Sequence, residues 1–206
     1  MSFINSNLKN TYFALRHAHS IANEKHLILS YPENGLKNYG LSKKGEKQTL
    51  EKLKPAMLKE FKLTRKNTHT ISSDFLRALE TAEIFCKLNR LEPPVFDKRL
   101  RERYFGEFEK MSSLNYQKIW QKDYENENHH YKNVESMTDV GKRIQDIINI
   151  LEKKYKDLNI VLCSHGDILK ITLAVIQNKK LTTDPQLVSF DNAEIRKLNF
   201  VTKNTK

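Results

Sequence analysis

Short apolar runs alternate along the chain with stretches in which apolar residues recur at helical spacing. The runs at residues 11–15, 68–72, 95–96 and 160–163 predict strands, because they are apolar and β-branched or aromatic in character and end at polar residues. Strands that alternate with helices predict an α/β fold. We expect a three-layer α/β/α sandwich with a largely parallel central sheet.

The segments between these runs carry apolar residues three or four positions apart, which is typical of amphipathic helices. One predicted helix follows Ser42 as its N-cap and extends to Phe61, and Pro55 should kink or break it. The next predicted helix begins after the second strand, with either Ser73 or Asp74 as its cap.

Two further helices are predicted in the second half of the chain. A long one carries an apolar face up to Tyr155, and the sequence Ser136-x-x-Asp139 could cap its start. A shorter one spans Asp167 to Gln177. Near the C-terminus, the apolar runs 187–190 and 195–201 flank a turn and predict a closing hairpin.

Residues 104–135 are polar, rich in aromatic residues and poorly periodic. We interpret residues 1–206 as a single domain in which this segment is an inserted lid. Its aromatic and lysine side chains could select the part of a substrate that leaves, although packing of the insert explains them equally well. They are Tyr104, Phe105, Phe108, Tyr116, Trp120, Tyr124 and Tyr131, with Lys110, Lys118, Lys122 and Lys132.

The composition limits the classes of molecule that the protein is expected to bind. The net charge is +11, from 36 Lys and Arg against 25 Asp and Glu, but the lysines are scattered, which argues against dedicated nucleic-acid binding. Cys86 and Cys163 form no CxxC pair, which favours a reducing compartment. No apolar run approaches the ~20 residues of a membrane helix. We expect a cytoplasmic protein that does not bind membranes, and the sequence indicates no oligomeric state.

Basic side chains follow the predicted strands. Arg16 and His17 end the first strand, Arg77 lies one turn into the helix after the second, and His165 follows the fourth. The carboxyl ends of parallel strands meet at one edge of a sheet, where ligands bind. Guanidinium groups match phosphate oxygens, and a neutral imidazole can attack phosphorus. The sequence therefore favours phosphate chemistry at this edge.

Five short segments strengthen this interpretation. They are "LRHAHSIAN", "GLSKKGEKQ", "SSDFLRALETA", "LRERYFGEFE" and "VLCSHGDIL". In the same order, they resemble the LxRHGxSxxN, LTxxGxxQA, SSDLxRAxQTA, LRExxFGxWEG and VxHGxxI segments of the histidine phosphatase (phosphoglycerate mutase-like) superfamily, and of its phosphatase branch in particular. The matches span residues 12–169.

The resemblance implies a phosphomonoester hydrolase that acts on a small phosphorylated metabolite. It implies that His17 becomes phosphorylated and that Glu102 is the general acid and later the base. Neither a metal nor an organic cofactor is implied. The residues that it assigns to the substrate phosphate are Arg16, Ser20, Asn23, Arg77 and His165.

Two departures leave other functions open. The family's glycine after the nucleophile is Ala18 here, which would not suit a position that needs a positive φ or a close approach. His19 replaces the usual acidic or amide residue. The alternatives are a cofactor-dependent phosphoglycerate mutase, a catalytically weak phospholigand-binding protein, and a metal-dependent hydrolase that uses His17 and His19.

Several other polar residues have competing interpretations. Asp167 is the rival general acid, and Glu102 could instead serve only in salt bridges with the neighbouring arginines. Glu135 is expected to complement the dipole of the long helix or to lie at the pocket rim. The histidines at 129–130 lie in a polar stretch and are expected to be solvated rather than to ligate a metal. The lone histidines His26 and His69 are expected at the surface or at a strand edge.

Overall fold

A computed structural model describes residues 8–181 and 189–199, except for the side chains of residues 56–58. Its centre is a sheet in the order β3-β2-β4-β1-β5, in which the first four strands along the chain pair in parallel and β5 pairs antiparallel with β1. This confirms the predicted α/β fold. The strands are β1 (Thr11–Arg16), β2 (Thr68–Ser72), β3 (Val95–Phe96), β4 (Asn159–Ser164) and β5 (Ile195–Lys197).

Helices cover both faces of the sheet. The helices are α1 (Ile21–Glu24), α2 (Pro32–Gly35), α3 (Lys43–Lys52), α4 (Pro55–Phe61), α5 (Leu76–Leu88), α6 (Tyr116–Glu125), α7 (Met137–Lys154) and α8 (Gly166–Ile176). Short 3₁₀ turns lie at Lys98–Leu100, Gly106–Phe108, Ser113–Asn115 and Tyr131–Asn133. Among the described residues, no helix combines the length and hydrophobicity that a membrane crossing requires.

The alternation of side chains along β1 explains the two apolar layers. Tyr12 and Ala14 point into the cluster formed with α7 and α8, whereas Phe13 and Leu15 point into the cluster formed with α5. Because both faces of β1 are buried, its sequence is a continuous apolar run rather than an alternating one. The burial of this strand is what holds its last residues in a fixed place.

Three predicted helix boundaries are confirmed. Ser42 caps α3 by accepting a hydrogen bond from the backbone N–H of Gly45 at 3.2 Å, and the chain breaks between α3 and α4 just before Pro55. Ser136 caps α7 by accepting from the backbone N–H of Asp139 at 3.1 Å. Each cap satisfies an N–H group that has no partner within its helix.

The predicted cap of α5 is wrong. Neither Ser73 nor Asp74 is the N-cap, since the helix begins after Phe75, which makes no side-chain cap. The Ser73 hydroxyl lies 3.0 Å from Nε2 of His165, and the Asp74 carboxylate accepts two hydrogen bonds from Arg101, at 2.7 and 2.6 Å. Both side chains therefore have tertiary partners in place of the helix end.

The predicted closing hairpin is present only in part. β5 forms as predicted, but its described partner is β1, and Ser189 and Phe190 are not in a strand. Phe190 is instead buried, and its carbonyl oxygen accepts a hydrogen bond from Arg16. The remaining positions of the two predicted arms, 187–188 and 200–201, lie outside the described residues.

Residues 104–135 contain three of the 3₁₀ turns and α6. Their apolar side chains form a small core of their own with Ile28, and Arg103 holds α6 through a buried ion pair to Asp123 at 2.7 Å. The side chains of this pair are 1% and 8% exposed. That this segment is a lid inserted into a single domain stays a prediction.

Candidate active site

The pairing of β1 with β4 brings two histidines together. Arg16 lies opposite Ser164 in the parallel register, so His17 and His165 are the first residues beyond the two strands. The backbone N–H of His17 donates to the carbonyl oxygen of Ser164 at 2.9 Å, and the two imidazole centroids lie 5.1 Å apart. The predicted meeting of these histidines at one sheet edge is confirmed.

The His17 imidazole has a defined proton position. Its Nδ1 lies 2.8 Å from the carbonyl oxygen of Ala18, which can only accept, so the proton is on Nδ1 and the lone pair is on Nε2. Burial, followed by the charges of Arg77 and Arg16, lowers the pKa of His17 well below its ordinary value. The ring is therefore neutral at pH 7, as a nitrogen nucleophile must be.

Two guanidinium groups converge beside His17. Arg77 on α5 is 3% exposed, and its Nη2 donates to the carbonyl oxygen of Leu29 at 3.1 Å. Arg16 donates from Nη1 to the carbonyl oxygen of Phe190. Among the described residues, Arg16 Nε and Arg77 Nη1 are buried without a hydrogen-bond partner. Buried charged donors rarely go unsatisfied, so these atoms indicate an anion-binding site.

Glu102 lies near the second histidine, His165. Its side chain is 9% exposed, with Oε2 at 4.0 Å from Nδ1 of His165 and Oε1 accepting from the backbone N–H of Arg103 at 2.9 Å. Burial, together with the nearby charge of Asp167, raises the pKa of Glu102 to about 7. A carboxyl group that titrates near neutral pH can both give and take a proton.

Ser20 and Asn23 lie at the same cavity but bind each other. Ser20 caps α1 by accepting from the backbone N–H of Asn23 at 3.2 Å, and the Asn23 side-chain oxygen accepts from the backbone N–H and the hydroxyl of Ser20, each at 3.0 Å. Their contact with a phosphate stays a prediction.

The site opens into a cavity of about 250 Å³. Six of the seven predicted site residues line it, and the seventh, His165, is fully buried behind Arg77. The lining residues are Arg16, His17, Ser20, Ala22, Asn23, His26, Leu27, Leu29, Arg77, Glu102, Ser113, Tyr116, Trp120, Gly166, Asp167, Lys170, Ser189 and Phe190.

Some of these residues had no role in the sequence interpretation. His26 is exposed, as expected, but it also lines the cavity, and Lys170 and Phe190 join it from α8 and the C-terminal loop. Ser73, treated as a helix cap, contacts the second histidine. No spacing pattern marks these residues, because each comes from a different segment.

The two departures from the family pattern have local explanations. Ala18 is absent from the described residues with positive φ, and its methyl group is buried with Leu41 and Ala193. His19 does not join the cavity, since its Nδ1 lies 2.8 Å from the Ser42 hydroxyl. The two imidazoles at 17 and 19 thus have separate partners. The described residues include no group of three potential metal ligands.

Of the two alternatives for Glu135, the position at the pocket rim is not found. Glu135 does not line the cavity, because its carboxylate pairs with Arg143 at 2.8 and 3.0 Å and its backbone is held by Arg103 and Tyr104. It lies directly before Ser136, the N-cap of α7, where a negative charge can complement the helix dipole.

The expectation for His129 is wrong. The His129 side chain is only 10% exposed, with Nε2 at 2.8 Å from Asp123. The neighbouring His130, with a side chain 62% exposed, is at the surface as predicted.

Comparison with solved structures shows which proteins share this fold. A mycobacterial glucosyl-3-phosphoglycerate phosphatase in complex with VO3 has a TM-score of 0.71 and 22% identity, over 90% of both chains. YhfR of Bacillus stearothermophilus has a TM-score of 0.69 and 20% identity, over 90% of this chain and 89% of that one. Mycobacterial hydrolase 1 has a TM-score of 0.72 and 21% identity, over 90% and 86%.

Comparison with curated proteins gave no significant match. The sequence model for the histidine phosphatase superfamily (branch 1) matches residues 12–206. With that match over most of the chain, the protein belongs to the histidine phosphatase superfamily, branch 1.

Proposed function

We propose that the protein hydrolyses phosphomonoesters through a phosphohistidine at His17. One observation carries this proposal. The neutral His17 ring, with its lone pair on Nε2, lines the same cavity as two guanidinium groups that each have a buried N–H without a partner among the described residues. A dianionic phosphoryl group would satisfy both donors.

The first half-reaction transfers the phosphoryl group to the protein. Nε2 of His17 attacks phosphorus in line, the bond from phosphorus to the ester oxygen breaks, and Glu102 gives its proton to the departing alkoxide. Arg16 and Arg77 stabilise the charge on the phosphoryl oxygens during the transfer. A Glu102 pKa of about 7 supports this role, because a large fraction of the carboxyl is protonated at neutral pH.

The second half-reaction returns the nucleophile. Water enters beside the now ionised Glu102, which takes a proton from the water as its oxygen attacks phosphorus. The bond between phosphorus and Nε2 breaks, inorganic phosphate leaves, and Glu102 ends protonated as it began. His17 keeps its Nδ1 proton throughout, since the Ala18 carbonyl oxygen accepts it.

The cavity supports a small substrate. Its volume of about 250 Å³ is below the ~300–1,000 Å³ of sites for drug-sized ligands, and the phosphoryl group occupies part of it. Tyr116, Trp120 and Phe190 line the cavity, and their rings could contact the alcohol half of the ester. We propose a small phosphorylated metabolite as the substrate class. We also propose that the protein is located in the cytoplasm.

The test is phosphate release from a panel of phosphorylated metabolites by wild type, His17→Ala and the matched control His130→Ala. We expect release by wild type and the control, none by His17→Ala, and the mass of one added phosphoryl group on rapidly quenched wild type. Normal turnover by His17→Ala would refute the proposal. Isomerisation of a phosphoglycerate without release would favour the mutase instead, and binding without turnover would favour a phospholigand-binding protein.

A further inference from the structure

A second carboxylate, Asp167, lies in the cavity with Glu102, and its partners differ from those of Glu102. Trp120 Nε1 donates to its Oδ2 at 3.1 Å, Arg103 Nη1 lies 3.8 Å from the same oxygen, and Lys170 Nζ lies 3.9 Å from Oδ1. Its side chain is 12% exposed. An indole donor and two cations around one carboxylate favour its ionised form.

Glu102 lacks such partners. Its recorded hydrogen bond is from the backbone N–H of Arg103, and its side chain is 9% exposed. Arg103 links the two carboxylates, since its backbone binds Glu102 and its guanidinium lies beside Asp167. That guanidinium is itself committed to Asp123, with bonds of 2.7 Å from Nη1 and Nη2.

We propose that Asp167 is a positioning residue whose negative charge holds the proton on Glu102 at neutral pH. This inference rests on the proposed function, in which Glu102 is the acid. Two carboxyl groups that share one cavity and have different partners divide into one ionised and one protonated member. Asp167 is the ionised member, because an indole N–H and two cations lie within 4 Å of its carboxylate, whereas the direct partners of the Glu102 carboxylate among the described residues are one backbone N–H and the neutral His165.

The positive charges near Glu102 oppose its protonation, so a negative charge is needed to offset them. Arg77 from α5 and Arg16 from β1 both favour the ionised form of Glu102 and would lower its pKa. His165 is neutral, because burial and Arg77 lower its pKa, and Tyr116 from α6 is an uncharged phenol whose pKa is raised by burial and by Glu102. Burial and Asp167 are the two influences that raise the Glu102 pKa.

The consequence is a defined pH dependence. The first half-reaction needs protonated Glu102, so kcat/KM falls as the pH rises through the pKa of Glu102. Removing the charge of Asp167 lowers that pKa, and the alkaline fall of kcat/KM then begins at a lower pH. At acid pH the proton is retained in both proteins, so their kcat/KM values converge.

The experiment compares pH profiles of kcat/KM for wild type, Asp167→Asn and the control Glu107→Gln. The asparagine keeps an oxygen that can accept from Trp120, whereas Glu107 is a carboxylate of the lid segment whose side chain is 54% exposed and that does not line the cavity. We expect the alkaline limb of Asp167→Asn to move down by about 1 pH unit. The control limb should coincide with that of wild type.

A limb that does not move in Asp167→Asn would overturn the proposal. Loss of kcat by Asp167→Asn at every pH, with activity kept by Glu102→Gln, would make Asp167 the acid and would also overturn it. A readout without turnover is the ¹³C titration of the Glu102 carboxyl in wild type. We expect an apparent pKa of about 7 for Glu102, and a Glu102 carboxyl that titrates in the ordinary range of a glutamate would overturn the proposal even if Asp167→Asn fails to fold.

The titration also distinguishes a failure of the Asp167 proposal from a failure of the proposed phosphatase function. If wild type releases no phosphate from any substrate, the proposed function fails, whereas the Glu102 carboxyl titration compared between wild type and Asp167→Asn still reports whether Asp167 holds a proton on Glu102.

Discussion

Arg77 Nε lies 3.2 Å from Nδ1 of His165, and this hydrogen bond fixes the tautomer of the buried second histidine. Since a guanidinium N–H can only donate, Nδ1 carries the lone pair and the ring proton is on Nε2, which faces the Ser73 hydroxyl at 3.0 Å. Arg77 orients His165 with Nε, and among the described residues its Nη1 is buried without a partner. Under the proposed function, Nη1 is the donor to the phosphoryl group.

Removal of Arg77 should accordingly impair catalysis more than stability. We expect Arg77→Ala to lower kcat/KM by about 10²–10³, the range measured when a single transition-state donor is lost. The matched control is Arg65→Ala, whose side chain is 70% exposed and pairs with Glu92 away from the cavity. Steady-state kinetics on variants that keep the wild-type circular dichroism spectrum provide the test. Equal kcat/KM for the two variants would contradict it.

Inhibitor chemistry provides a second prediction. Vanadate adopts the five-coordinate geometry of in-line transfer, and the cavity offers it two guanidinium groups and the His17 imidazole. We expect competitive inhibition by vanadate and full activity in EDTA, measured as phosphate release. Loss of activity in EDTA that Zn²⁺ restores would instead favour a metal-dependent hydrolase.

Tyr116 on α6 should affect substrate choice. It lines the cavity from α6, whereas Tyr124 on the same helix is 67% exposed and does not. We expect Tyr116→Ala to lower kcat/KM several-fold more for the best metabolite than for a small generic phosphate ester. Tyr124→Ala should leave both values unchanged. An equal loss on both substrates would mean that Tyr116 only packs the segment.

Trp120 is a weaker candidate for contact with a substrate ring than the sequence alone indicates. Tyr116 stacks on its ring at 5.5 Å, the Lys170 ammonium lies 4.8 Å from its centroid, and its N–H binds Asp167. These three contacts commit the indole within the protein.

The buried pair of Arg103 and Asp123 should be important for stability. We expect Asp123→Ala to lower the free energy of unfolding by about 3–5 kcal/mol, because it leaves a buried guanidinium without its partner. Glu125→Ala, on the same helix with a side chain 53% exposed, should change stability little. Urea denaturation of both variants measures the difference, and equal midpoints would contradict the prediction.

The parts of the site that the sequence predicts correctly are those attached to the sheet. Arg16, His17 and His165 end strands whose apolar runs are unambiguous, and parallel strands bring their carboxyl ends to one edge. The predicted cap at Ser73 is wrong because a small polar residue before a helix has the same local pattern whether it binds the helix end or a distant imidazole.

The polar groups of residues 104–135 could not be placed from the sequence. His129 lies in a polar stretch of the sequence, yet its side chain is only 10% exposed. Its imidazole contacts Asp123 on α6, which the local sequence does not indicate. The bond from Trp120 to Asp167 joins residues 47 positions apart and depends on how α6 packs against α8. No periodic pattern encodes such a contact, since it is a property of tertiary packing.

The parallel pairing of β1 with β4 separates the spacing of the two histidines from the shape of the surrounding cavity. Neighbouring strands are held about 4.8 Å apart by their backbone hydrogen bonds. Because His17 and His165 directly follow two neighbouring strands, their imidazole centroids lie at a similar distance, 5.1 Å. Much of the cavity wall is built from loops, α6 and the first turns of α8. Insertions and deletions in those loops change the shape of the wall without changing strand register. Loop length can therefore alter which molecules fit the cavity while the strand register keeps the two imidazoles at a fixed spacing.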